Sequence, residues 1–167
     1  MERFDLRSPT VDEVHLVVEF IHELAEYEKL AHECHITEDD LRRSLFEERP
    51  HAETLLAFLD DHPIGFCLFF TNYSTFLGKP GLYLEDIYIQ PAFRNRGFGK
   101  RILAHLASLA LKRGCGRFEW AVLNWNEPSI AFYRKIGAES MNEWTVQRLA
   151  GESLVELARC KSSDGNV

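Results

Sequence analysis

The sequence predicts an α/β fold: one central mixed sheet, mostly antiparallel, with helices on both faces. Three observations carry this. Residues 82–114 run from an apolar strand through a glycine turn into an amphipathic helix. Residues 54–59, 64–71 and 82–89 are three successive strand-like runs separated by turn residues. Apolar residues elsewhere recur at helical spacing, giving the order β, α, α, three β, α, β, α, β, β, which layers helices over a sheet.

Residues 4–7 open the chain as a short strand. Thr10 is an N-cap, and Glu13 completes a capping box. Val14, Val17, Val18, Ile21, Leu24 and Ala25 then follow at helical spacing, and this helix is expected to end between Tyr27 and Leu30. Thr37 caps a second helix, with Glu38, Asp39 and Asp40 in its first turn and Arg42 and Arg43 later, the charge order a helix dipole favours. Residues 54–59 and 64–71 form an antiparallel hairpin around Asp60-Asp61-His62-Pro63, and residues 72–81, containing Gly78, Pro80 and Gly81, form a loop. Residues 82–89 are the central strand.

After Gly97, residues Ile102, Leu106, Leu109 and Ala110 share one helical face, and Lys112-Arg113-Gly114 is a C-terminal signature. Residues 118–123 are a strand, and residues 129–136 are a short helix entered through Pro128. Residues 144–149 and 154–158 close the sheet as a hairpin around Gly151. A single domain is expected over residues 1–160, with residues 161–167 as a flexible tail.

The length suits one domain with a full core. Asp and Glu number 26 against 19 Lys and Arg, a net charge of −7. That argues against nucleic-acid binding, which needs a basic footprint, and is compatible with a cationic small substrate. Cys34, Cys67, Cys115 and Cys160 are scattered with no C-x-x-C, which reads as reduced thiols in a cytoplasmic protein. The N-terminal stretch lacks an apolar signal core, and no apolar run could span a membrane.

Arg94-Asn95-Arg96-Gly97-Phe98-Gly99-Lys100 leads directly into the helix after the central strand. The unpaired N–H groups of a helix's first turn point outward, and the dipole favours an anion there. Gly97 and Gly99 let a phosphate approach the backbone, while Arg94, Arg96 and Lys100 add positive charge. Neither G-x-G-x-x-G nor G-x-x-x-x-G-K-[ST] is present. A solvated basic turn could contain the same residues, so the pattern draws its meaning from what lies downstream.

The R-x-x-G-x-G of Arg94, Gly97 and Gly99 resembles the acyl-CoA pyrophosphate loop of the GNAT superfamily of N-acetyltransferases. Asn126-Glu127-Pro128-Ser129-Ile130-Ala131-Phe132-Tyr133, followed by Gly137-Ala138, is similar to that family's N-x-x-[AS]-x-x-[FL]-Y…G-A motif. Leu24-Ala25-Glu26-Tyr27-Glu28, Leu82-Tyr83-Leu84-Glu85-Asp86 and Trp125-Asn126-Glu127-Pro128-Ser129 resemble the spermidine/spermine (diamine) branch, which also holds thialysine enzymes. Together these cover residues 4–157. The resemblance implies the single-domain acyl-CoA N-acyltransferase fold, acetyl-CoA as cofactor and direct transfer to a primary amine in a ternary complex. It also implies a homodimer.

An alkylammonium titrates near ~10.4 and cannot attack while protonated, so a proton acceptor is required. Glu85 is the candidate to bind the amine or deprotonate it, because an unpartnered carboxylate on a buried central strand is costly. Asp86 should point to the opposite face unless a bulge intervenes. A coenzyme A thiolate leaves with a proton affinity near that of cysteine, ~8.5, so a neutral phenol can protonate it. Tyr133 stands at the family's general-acid position, although a core tyrosine bonded to backbone would read alike.

Asn126 and Ser129 match cofactor-contacting positions or cap the helix at Pro128. The resemblance pairs the pantetheine arm with backbone groups of Ile87, Tyr88 and Ile89, with residues 94–100 on the pyrophosphate. Tyr27 and Glu28 match positions lining the amine site, and Glu119, Trp120 and Ala121 lie on the strand beside the cofactor. Glu143 is a weaker candidate. The spacing of His32, Cys34 and His35 fits no zinc pattern, so no metal is expected. Two alternatives stay open: another acceptor, such as an amino acid or a protein N-terminus, or a non-catalytic acyl-CoA-binding module.

Overall fold

The computed structural model describes residues 2–160. They fall into two compact units, the first ending at Asn124 and the second beginning at Trp125. The tail expected at residues 161–167 lies outside the described residues.

The first unit contains β1 (Phe4–Arg7), α1 (Val14–Tyr27), α2 (Glu38–Phe46), β2 (Glu53–Leu59), β3 (His62–Ser74), β4 (Lys79–Ile89), α3 (Phe98–Lys112) and β5 (Arg117–Trp120). The strands form one sheet in sequence order. Neighbours are antiparallel except β4 and β5, which are parallel and joined through α3.

Val14, Val17, Phe20 and Leu24 form the buried stripe of α1 and pack on Leu56, Phe58, Phe66 and Tyr88 of the sheet. Successive strand residues face opposite ways, so Leu59 points away from α1. Leu59 pairs with Phe4, whose ring stacks on Phe98 at the start of α3 with centroids 5.0 Å apart. Helices therefore cover both faces, as the sequence predicts.

Local chemistry sets the element ends. The Glu13 carboxylate accepts from the Thr10 N–H at 2.9 Å, and the Thr37 hydroxyl accepts from the Asp40 N–H at 3.2 Å. The β2–β3 turn is tighter than expected. Asp60 and Asp61 both take positive φ, 49° and 65°, so the strands join across a two-residue turn and β3 already begins at His62.

The structure corrects the expected loop at residues 72–81. β3 runs on to Ser74, β4 starts at Lys79, and Asn72 pairs with Gly81 and Tyr73 with Pro80. The ladder needs glycine at position 81, because a Cβ there would meet Asn72 Oδ1 at 2.2 Å and the Arg117 side chain at 3.0 Å. β5 is also shorter than the strand expected at residues 118–123.

The second unit contains α4 (Glu127–Lys135) and α5 (Gly151–Arg159). Asn126 caps α4, its side-chain oxygen accepting from the Ser129 N–H at 3.3 Å. The hairpin expected at residues 144–149 and 154–158 is replaced. Among the described residues no strand forms there, and α5 occupies the whole of the second half. Leu154, Leu157 and Ala158 stand at i, i+3 and i+4, a helical stripe, with Glu152 in the first turn and Arg159 in the last. Among the described residues, Cys34, Cys67 and Cys115 are free thiols and no helix is long and apolar enough to cross a membrane.

Candidate active site

The site is built around an irregularity in β4. Leu68 pairs with Asp86 but Phe69 pairs with Leu84, so Glu85 is an extra residue with no partner on β3. This is a β-bulge, and it breaks the strict alternation of faces. Glu85 is exposed, which removes the premise that it is buried on a central strand. Asp86 is half-buried instead.

β4 also changes partners at this point. Its pairing with β5 covers residues 81–84 and ends at Leu84 opposite Trp120. From Glu85 to Ile89, no described strand pairs the edge of β4 that faced β5. Ile87, Tyr88 and Ile89 lie on this half, so a ligand amide could pair there as an added strand.

β4 leads through a short helical turn, Pro91–Phe93, to the start of α3. Gly97 caps α3 in the left-handed conformation, φ 85°, which a side chain resists. A Cβ built at Gly97 or Gly99 would meet nothing within 4 Å, so the mouth of the helix is open at both glycines. An open mouth lined by amide N–H groups fits a pyrophosphate. Arg96 pairs with Glu2 at 2.5 Å, and Asn95 and Lys100 are exposed. Arg94 is engaged differently: its Nε donates to the Ile89 carbonyl at 2.8 Å, and its guanidinium lies 4.5 Å from the Tyr27 ring centroid.

A cavity of about 180 Å³ opens between α1, the segment after it and β4. Ile21, Leu24, Ala25 and Leu30 supply apolar wall, and Glu28, Glu33 and Asp86 supply carboxyl groups beside Cys34. Burial pushes the Asp86 carboxyl up to about 6, and the neighbouring charges of Glu85 and Glu28 add to the effect. Burial also raises Glu28. Acidic groups forced toward neutrality along an apolar wall suit an aminoalkyl cation, which would restore their ionisation. Of these residues the sequence nominates only Glu28. The adjacent pair Glu85-Asp86 was the available signal for Asp86, because a bulge can bring both to one site.

The remaining candidates are placed as follows. Tyr27 ends α1 directly before Glu28. The Glu119 carboxylate is already occupied, with Arg117 Nε at 2.9 Å and Asn72 Nδ2 at 3.3 Å. Trp120 is half-buried at the end of β5, and Ala121 follows it. In the second unit Tyr133 sits on α4 beside Phe132, ring centroids 5.5 Å apart, with Asn126 and Ser129 at the start of the same helix. Glu143 is exposed outside any helix or strand.

Comparison with known proteins agrees with this geometry. The family model described as the Acetyltransferase (GNAT) family matches residues 19–138. A thialysine N-epsilon-acetyltransferase of Mus musculus is 38% identical over 153 residues, covering 85% of this chain and 89% of the relative. An L-ornithine N5-acetyltransferase of Arabidopsis thaliana is 34% identical, covering 91% and 86%. Among solved structures, an integron cassette protein from the mobile metagenome of V. cholerae superposes with a TM-score of 0.75 at 24% identity, covering 93% of this chain and 98% of its own. The open amide-lined mouth of α3, the unzipped β4 edge and the extent of these matches converge: the chain belongs to the GNAT family and is an N-acetyltransferase that takes its acetyl group from acetyl-CoA.

Proposed function

We propose that the protein acetylates the terminal primary amine of a small aminoalkyl substrate of thialysine type. The observation that carries this is the cavity in which Glu28, Glu33 and Asp86 stand along an apolar wall. Two relatives carry names specifying a terminal side-chain amine, the Nε of thialysine and the N5 of ornithine. A small cavity lined by both apolar and acidic side chains suits such a chain. Polyamines are the second reading, since the exposed Glu85 extends the acidic surface beyond the cavity.

Glu28 and Asp86 hold the ammonium, and Glu85 is the exposed neighbour of Asp86. Proton acceptance falls to Glu85 or Asp86, and a carboxyl held near 6 is closer to working pH than an ordinary one. Backbone groups of Ile87, Tyr88 and Ile89 would hold the cofactor's amide arm, and the backbone of residues 94–100 with the Arg96 and Lys100 side chains would hold its pyrophosphate. When bound, acetyl-CoA supplies the acetyl carbonyl and a thiolate leaving group. Tyr133 would hold the phenolic proton available to that sulfur, and Asn126 and Ser129 shape the start of its helix. Glu119, Trp120 and Ala121 border the substrate from β5. The amine attacks directly in a ternary complex, and the active unit is a cytoplasmic homodimer built from one domain per chain.

The test is thiol release from acetyl-CoA with thialysine, ornithine, lysine, spermidine and putrescine. Highest kcat/KM on thialysine or ornithine, with intersecting initial-rate lines, is the expected result. Preference for spermidine would favour the polyamine reading. Coenzyme A binding without turnover on any amine would leave a binding module.

A further inference from the structure

Arg94 opens the R-x-x-G-x-G motif, yet its contacts run toward α1. Nε donates to the Ile89 carbonyl at 2.8 Å, and the guanidinium lies over Tyr27 at 4.5 Å and over Tyr88 at 5.3 Å. Glu23, one turn before Tyr27 on the same helix, accepts from Gln90 Nε2 at 3.0 Å. The end of α1 is thus tied at two neighbouring points to the segment joining β4 to α3. That segment has little slack, because Pro91–Phe93 is a helical turn whose first residue is a proline of fixed φ. Directly after Tyr27 comes Glu28, which lines the acidic cavity.

We infer that Arg94 is a positioning residue that ties the phosphate loop to the last turn of α1, so that coenzyme A seated at α3 orders the Tyr27–Glu28 edge of the cavity before the amine enters. The coupling needs only the loop and α1; its meaning for the amine rests on the proposed reading of the cavity. Guanidinium is suited to the task. Its plane stacks on a ring while Nε reaches a carbonyl, and a lysine ammonium cannot do both. Ligand-driven stiffening of a remote segment is a recognised route by which one site favours another.

Amide hydrogen exchange on the whole chain, with coenzyme A alone as probe, tests this. In the unmodified protein, coenzyme A should slow exchange about 5-fold or more in residues 97–101 and also in residues 24–30. Arg94→Lys keeps the charge but loses the stacked plane, so it should retain protection at 97–101 and lose it at 24–30. Tyr27→Phe should transmit as the unmodified protein does, and Tyr27→Ala should not. Arg94→Lys still protecting residues 24–30 would overturn the proposal. So would coenzyme A affinity falling more than about 10-fold in Arg94→Lys with 97–101 unprotected, since the side chain would then serve the phosphate itself. No protection at 97–101 in the unmodified protein would remove the loop as the cofactor site and the proposal with it. Normal protection at both segments, with no amine turned over, would leave the coupling standing and overturn only the amine reading.

Discussion

Replacing Asp86 by asparagine should make the protein more stable at neutral pH and a poorer enzyme. The Asp86 carboxyl is pushed up to about 6 in the folded chain, chiefly by burial and then by Glu85 and Glu28. In the unfolded chain it titrates near ~3.9. Between these values the folded state binds more protons than the unfolded one, so stability falls as pH rises from about 4 to about 6. The gap of about two pH units corresponds to a cost of about 3 kcal/mol, fully present above pH 6. Asparagine carries no such cost but leaves an amide to satisfy, so a net gain of about 1–3 kcal/mol is expected at pH 7.5. For a chain of this size that raises Tm by roughly 2–10 °C. Toward pH 3.5 the advantage should disappear, because the unmodified carboxyl is then mostly neutral in both states and only the cost of the asparagine amide remains. Thermal melts from pH 3.5 to 8 without ligand provide the readout, and the amine KM should rise about 10-fold or more in the same variant. An asparagine variant less stable at pH 7.5, or one whose pH dependence between 4 and 6 parallels the unmodified protein's, would refute the reasoning.

Tyr133→Phe should lower kcat about 100-fold or more while leaving coenzyme A affinity within about 3-fold, measured by steady-state rates and calorimetry; equal losses in both would remove the acid role. Gly97→Ala should cost about 1–2 kcal/mol in a urea melt, since the cap sits at φ 85°, and its methyl group would enter the open mouth and weaken coenzyme A binding. Unchanged binding would move the phosphate away from this turn. Thr37→Ala removes the cap of α2 and should cost about 1 kcal/mol with unchanged kcat, checked by denaturation and thiol release.

What the sequence makes legible is what near neighbours decide. The Thr10–Glu13 and Thr37–Asp40 caps, the α1 stripe and the glycine entry to α3 each depend on residues within one or two turns, and each is found as read. Features decided across the sheet were hidden. Gly81 and Pro80 carry loop composition, but pairing with Asn72 and Tyr73 holds them in the ladder. Asp86 was assigned by alternation to the face opposite Glu85, and only the Leu68–Phe69 register creates the bulge that qualifies that rule. Residues 154–158 read as a strand for a different reason: Gly151 carries a turn's meaning in sequence but starts a helix, and the Leu154–Leu157–Ala158 spacing is the helical signal. Glu119 has acidic character on paper, yet Arg117 and Asn72 occupy its carboxylate.

The parting of β4 from β5 after Leu84 bears on how such a chain can diversify. A donor gripped by main-chain amides and a helix mouth is insulated from most point mutations, because exchanging a side chain leaves the peptide groups where they were. The cavity proposed for the acceptor is lined by Glu28, Glu33 and Asp86, which single codon changes can rewrite. Selection can therefore retune which nucleophile is accepted without relearning how the acyl carrier is held.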